Sequence, residues 1–239
     1  AYDPHDSMGA NIGRNDGDQT VAPGESKTYT YFAHPELGEA TAMVYDLAKI
    51  TGNLRDGLYG AIIIGPRGSR YTRPGSGEDI SLANSWQADV IVDRSVRENR
   101  NRSNYRDAAL FFQEEDNLIG TSFMPYTSSS AGLSAVNYRI EPAAWRAQTY
   151  GCPEEDAFHC NGRAPDPVTP LIEVTAGEQV RVHVIGAHGE QNSTFSIENH
   201  QWPLEPDVRG SEMLEVQQFG PTTTLEVNIV AGGPYAIPG

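Results

Sequence analysis

No run of about 18 apolar residues occurs anywhere in the 239-residue sequence, which excludes a hydrophobic transmembrane helix. Positive charge is scarce. Lys and Arg number 17 against 32 Asp and Glu, a formal net charge of -15. A chain this acidic repels a phosphate backbone, so nucleic acid is not an expected partner. The opening stretch AYDPHDSMGANIG has neither a basic n-region nor an apolar h-region, so no signal peptide is read there. Several catalytic signatures are also missing: no Gly-X-Ser-X-Gly elbow, no HExxH and no Walker-type glycine loop. The Ser-rich SSSAGLSA reads as a flexible loop without a paired base.

Cysteine is nearly absent. Cys152 and Cys160 form a close pair in GCPEEDAFHC. One such pair suits a disulfide that closes a small loop, which fits a secreted, extracellular or periplasmic protein. The competing reading is a Cys/His metal site with His159, but that chemistry normally needs further ligands at CxxC-type spacing. Asn101-Arg-Ser and Asn192-Ser-Thr match the glycosylation sequon, a match too common to decide anything.

What is present is a series of short apolar segments between turn signals. Gly 24 and Pro 16 supply many turns, apolar content is 38%, and no long helical periodicity appears. This pattern favours an all-β sandwich. TVAPGESKTYTYFA predicts a Pro-Gly turn and then a strand, ATAMVYDL a second strand, and GLYGAIIIGP a third, whose Ile62, Ile63 and Ile64 suggest burial on both faces. Residues 66–88 are Gly-, Ser- and Arg-rich and read as a linker or long surface loop. DRSVRENRNRSNYR has a local basic excess and reads as a solvated connector. RDAALFFQEED reads as a buried strand with an acidic end. In EQVRVHVIG, Val180, Val182 and Val184 alternate with Gln179, Arg181 and His183, which puts His183 on the face opposite the valines. STFSIENHQW, TTTLEVNIV and GGPYAIPG complete the pattern.

The order VAPGESKTYTYFA, GEATAMVYDL, RDGLYGAIIIGP, followed by NGRAPDPVTPLIEVTAGEQVRVHVIGA, FSIENHQWP and FGPTTTLEVNIVAGGPYAIPG, resembles the multicopper oxidase and ceruloplasmin-like cupredoxin family. The likeness is greatest to large secreted bacterial members, and it covers nearly the whole chain. It implies an all-β fold of cupredoxin-like Greek-key β-sandwiches. The expected division is 1–75 as the C-terminal part of one cupredoxin-like domain, 76–105 as an irregular linker, and 106–239 as a second domain lacking its last copper-binding strand. The resemblance also implies a copper-dependent oxidation of a metal ion or phenol, with reduction of dioxygen to water.

Carried over residue by residue, the copper ligands mostly fail to appear. A type 1 copper site takes two His and a Cys thiolate, which the family places in a His-Cys-His strand, and neither Cys152 nor Cys160 has that context. The trinuclear site takes paired His-X-His motifs, and the sequence has none. Tyr45-Asp46-Leu47 stands at the first such position. Asn192 or Ser193, and Glu198, stand at the second, leaving His200 alone. His188 with His200 is the one remaining candidate metal site, with Glu190 and Glu198 as possible oxygen ligands. His5, His34 and His159 read as solvent-facing loop residues. The expectation is a portion of a longer polypeptide, with copper held in the parent protein and this chain acting mainly as scaffold. Its partners would be the rest of a larger multidomain protein or other copies of itself. The alternative is a non-catalytic cupredoxin-like structural or interaction module.

Overall fold

The computed structural model describes residues 7, 9, 11, 13, 17–46, 50–81, 84–114, 134–137, 143–157, 160–165, 170–189, 192–206 and 208–233. In chain order its regular elements are β1 (Ala40–Tyr45), α1 (Ile50–Arg55), β2 (Tyr59–Ile64), β3 (Arg70–Thr72), β4 (Gln87–Ile91), β5 (Tyr105–Glu114), β6 (Ser134–Val136), α2 (Ala143–Tyr150), β7 (Gln179–His188), β8 (Ser193–Ser196), β9 (Trp202–Pro203), β10 (Met213–Leu214), β11 (Val216–Phe219) and β12 (Thr224–Val230). The all-β expectation holds. No helix among the described residues is long and apolar enough to cross a membrane.

The central sheet runs β12-β7-β5-β4-β3, with β6 pairing to β5. Neighbours are antiparallel except β5 and β7, which are parallel. Strand β7 is the hub, and period-2 alternation explains why. Val180, Val182 and Val184 point to one side, where they meet Phe195 of β8, Trp202 of β9, Phe219 of β11, and Val227 and Ile229 of β12. Phe112 of β5 packs against both Phe195 and Phe219, with ring centroids 5.9 and 5.3 Å apart. Gly186 is required where this layer closes, because a Cβ there would strike the backbone carbonyl of Gly220. The β8–β11 and β9–β10 pairs therefore cover one face of the sheet. Arg181 and His183 point to the other face, which is covered by the β1–β2 hairpin.

Three expectations need correction. TVAPGESKTYTYFA forms its turn, with Glu25 N–H bonded to the Ala22 carbonyl at 3.0 Å, but no strand follows. Tyr31 and Phe32 are exposed, and the segment is held by side chains, such as Tyr29 hydroxyl to Gln19 carbonyl at 2.5 Å. Alternation makes a strand only where a neighbour accepts the ladder. Ile62 is exposed, because β2 belongs to a two-stranded layer with one covered face. Within the expected linker 76–105 lies β4, with Val90 fully buried and Ala88 and Val92 buried beside it. The alternation in QADVIV was short and sat between Ser- and Arg-rich runs, yet it suffices to seat a strand against β5. The sheet thus draws strands from all three expected segments.

Candidate functional site

A densely bonded polar group among the described residues is the seam between β7 and the β1–β2 hairpin. His183 is 1% exposed. Its Nε2 lies 2.7 Å from Asp107 Oδ1 on β5, and its Nδ1 lies 2.5 Å from Thr41 Oγ1 on β1. Nε2–H donates to the Asp107 carboxylate, and the Thr41 hydroxyl pairs with Nδ1. The Thr41 carbonyl in turn accepts from the Thr224 hydroxyl of β12 at 3.3 Å. Three strands are tied through one residue.

Arg181 makes the second knot. Its Nη1 donates to Glu39 Oε2 at 2.6 Å and to the Tyr105 hydroxyl at 3.3 Å, and its Nε donates to Asn228 Oδ1 at 3.0 Å. The guanidinium also lies over the Tyr105 ring, 4.5 Å from its centroid. Glu39 receives Arg102 as well, so one carboxylate bridges two arginines. Burial works against the Arg181 charge, but Tyr105, Glu226 and Glu39 around it outweigh that, and its pKa lies above the usual arginine value. Burial pushes the Tyr105 phenol up, against the pull of Arg181. Burial, reinforced by the Asp107 charge, pushes the Tyr71 phenol up too. Further along the seam Tyr59 donates to Gln113 Oε1 and stacks on Phe111, with centroids 5.5 Å apart.

Hydroxyl, imidazole and carboxylate stand here in the order of a nucleophilic triad. The chemistry is nonetheless structural. His183 is sealed between two layers, and the cleft of about 150 Å³ beside it reaches Asp107 from the side of Tyr71, Ile80 and Trp86. A carboxylate with a hydrogen-bonded imidazole in this setting holds two layers in register rather than attacking a substrate.

The structure does not bring the two candidate metal ligands together. His188 ends β7, and its Nδ1 donates to the Glu114 carbonyl at 3.0 Å. It borders a cleft of about 210 Å³ shared with Glu114, Ser193 and Phe219. His200 sits beside Gly233, beyond the far end of β12, where Val230 pairs with Gln179. The two imidazoles therefore lie at opposite ends of the β7–β12 ladder, a strand length of about 30 Å at roughly 3.3 Å per residue. The Nδ1 of His200 donates to the Glu198 carbonyl at 2.8 Å, and its Nε2 is buried without a partner among the described residues. His34 caps a short 3-10 turn by accepting from Glu36 N–H at 3.3 Å. His5, His159 and Glu190 lie outside the described residues.

Cys152 and Cys160 are joined in a disulfide. Next to it Arg146 of α2, fully buried, donates to the carbonyls of Ala157 at 2.9 Å and Pro165 at 2.6 Å. Among the described residues, no group of three or more His, Cys, Asp and Glu is placed to hold a metal ion. The described residues do not fit a type 1 copper. That site takes a thiolate and two convergent imidazoles, whereas both sulfurs are oxidised to the disulfide and the described imidazoles of His183, His188 and His200 do not converge.

These layers define an all-β, cupredoxin-like sandwich. Among solved structures, the chain is similar to one described as a blue copper oxidase from Nitrosomonas europaea, with a TM-score of 0.51 and 13% sequence identity over 90% of this chain. The chain spans about half of that neighbour, 52% of its length. At this identity the likeness is one of fold. No family model matches the sequence. No curated protein matches it either.

Proposed function

We propose that this chain is part of a secreted multicopper oxidase-like protein, to which it contributes cupredoxin scaffold rather than a copper centre. The observation that supports this reading is the fold likeness to a blue copper oxidase across 90% of the chain. The dispersed imidazoles and the oxidised cysteines explain why the copper would reside elsewhere in the parent protein. The His183 and Arg181 knots are then the devices that hold one sandwich layer on the next, so that a copper site built by other segments keeps its geometry. The disulfide suits an oxidising, extracellular or periplasmic setting.

The test compares two proteins, the polypeptide purified from its native source and the isolated 239-residue chain. Copper per chain, the visible thiolate-to-copper absorption and dioxygen-dependent oxidation of Mn(II), Fe(II) or a phenol are measured on both. Copper and oxidase activity are expected in the native polypeptide and absent from the isolated chain. Stoichiometric copper in the isolated chain overturns the scaffold role. A native polypeptide with neither copper nor activity leaves the second reading, a cupredoxin-like interaction module. One observation favours that reading independently: a groove of about 730 Å³ over the outer face of the hairpin, lined by apolar side chains including Val44, Ile62, Tyr31 and Phe32.

A further inference from the structure

Charge is unevenly distributed along this acidic chain. Residues 66–106 contain eight arginines against five acidic residues, a net +3 inside a protein of -15. The fold gathers much of this excess at the β3 end of the sheet, on the loop before β3 and the loop between β4 and β5. Arg67, Arg70, Arg94, Arg97 and Arg100 are all exposed. Among the described residues, Arg67, Arg97 and Arg100 have no carboxylate partner, and Arg94 donates only to the backbone carbonyl of Arg102, at 2.9 Å. The acids within the same loops are Asp93, whose carboxyl is held below its usual range by the Ser95 hydroxyl and N–H, and Glu98.

These loops are not loose. Asn99 is 2% exposed, and its Nδ2 donates to the carbonyls of Arg67 at 2.8 Å and Asp93 at 3.1 Å. Gly68 fits closely beneath, because a Cβ there would lie 3.0 Å from Asp93 Oδ2 and 3.4 Å from Val96 Cγ2. A buried amide thus spends its donors on fixing two arginine-bearing loops side by side. A solvated connector has no need of that arrangement.

We infer that this edge is a docking surface for a polyanionic polysaccharide bearing sulfate or carboxylate groups. Guanidinium forks match such oxyanions in two-point contacts. Preorganised loops lower the ordering cost of binding. Neither loop contains an aromatic residue, so there is no platform on which nucleobases could stack. The acidic remainder of the chain repels a long duplex, while a flexible polymer can touch the edge alone, within a screening length of about 8 Å at physiological salt. The inference does not depend on the copper reading.

The experiment uses the 239-residue chain with heparin, polygalacturonate and a short duplex DNA as probes, at salt rising from about 50 to about 200 mM. The sulfated or the carboxylated polymer is expected to bind at low salt and to be released as salt rises, and comparison of the two identifies the preferred oxyanion. The triple substitution Arg67→Ser, Arg97→Ser, Arg100→Ser is expected to weaken that binding by at least about tenfold. The double substitution Arg163→Ser, Arg209→Ser, at exposed arginines elsewhere, is expected to leave it unchanged. No binding to either polysaccharide at low salt, equal weakening by both sets of substitutions, or binding to DNA as tight as to the polysaccharides each overturns the inference.

Discussion

The two faces of the central sheet are built on opposite principles. Toward β8, β9 and β11, β7 presents three valines to a dry cluster of Phe, Trp, Val and Ile. Toward the β1–β2 hairpin it presents Arg181 and His183, each satisfied by several partners from different strands. The dry face draws its stability from apolar area, which is non-directional and tolerates small shifts. The polar seam adds little net free energy, since desolvation of buried charges offsets their attraction. What it supplies is registry: Thr41, Asp107 and Glu39 fit His183 and Arg181 in one arrangement only.

Mutation separates the two. The largest loss is expected on the dry side. Trp202 is fully buried, with its Nε1–H donating to Gln217 Oε1 at 3.1 Å, and Trp202→Ala should cost about 4 kcal/mol in urea denaturation. On the seam, Asp107→Ala strands the His183 Nε2–H and should cost about 3 kcal/mol. The double variant Asp107→Leu, His183→Leu then recovers at least about 1 kcal/mol of that loss, because neither member of the buried pair is left without the other and only the half-buried Thr41 hydroxyl loses its partner. A double variant less stable than the single one would mean that the seam contributes net stability and not only registry. Thr41→Val keeps the side-chain shape but leaves His183 Nδ1 without its partner, with an expected cost of about 1 to 2 kcal/mol.

The sequence made one side of this comparison readable and hid the other. Alternation in EQVRVHVIG places the valines on one face and His183 on the other, and the structure agrees. Alternation does not say what the second face meets. The partners of His183 lie 142 residues away at Thr41 and 76 away at Asp107, in segments that carry no mark of the pairing. The same limit applies to the candidate metal ligands. His188 and His200 are neighbours in sequence, but β8 and the turn after it carry His200 to the opposite end of the ladder. Strand β4 was hidden for a different reason: its five residues sit among Ser- and Arg-rich runs, and only contact with β5 makes Val90 a core residue. The buried Arg146 beside the disulfide gives no local pattern at all, because its partners are backbone carbonyls.

The smallest expected effect distinguishes the faces by pH. The dry cluster contains no titratable side chain. The seam side holds Tyr71 and Tyr105, both raised by burial above the ordinary value of 10.0. In the interval above pH 10.0 the unfolded chain releases phenolic protons that the folded protein still holds. Fewer protons bound in the unfolded state make stability fall as pH rises. The contribution is therefore fully present below the unfolded pKa and is lost on the alkaline side as pH climbs toward the raised folded values. Urea midpoints measured across that window should decline, and Tyr71→Phe and Tyr105→Phe should each make the decline shallower, Tyr105→Phe the more so because its shift is larger. Trp202→Ala should lower every midpoint without changing the slope. An alkaline slope unchanged by both Phe variants would place the pH sensitivity outside the seam.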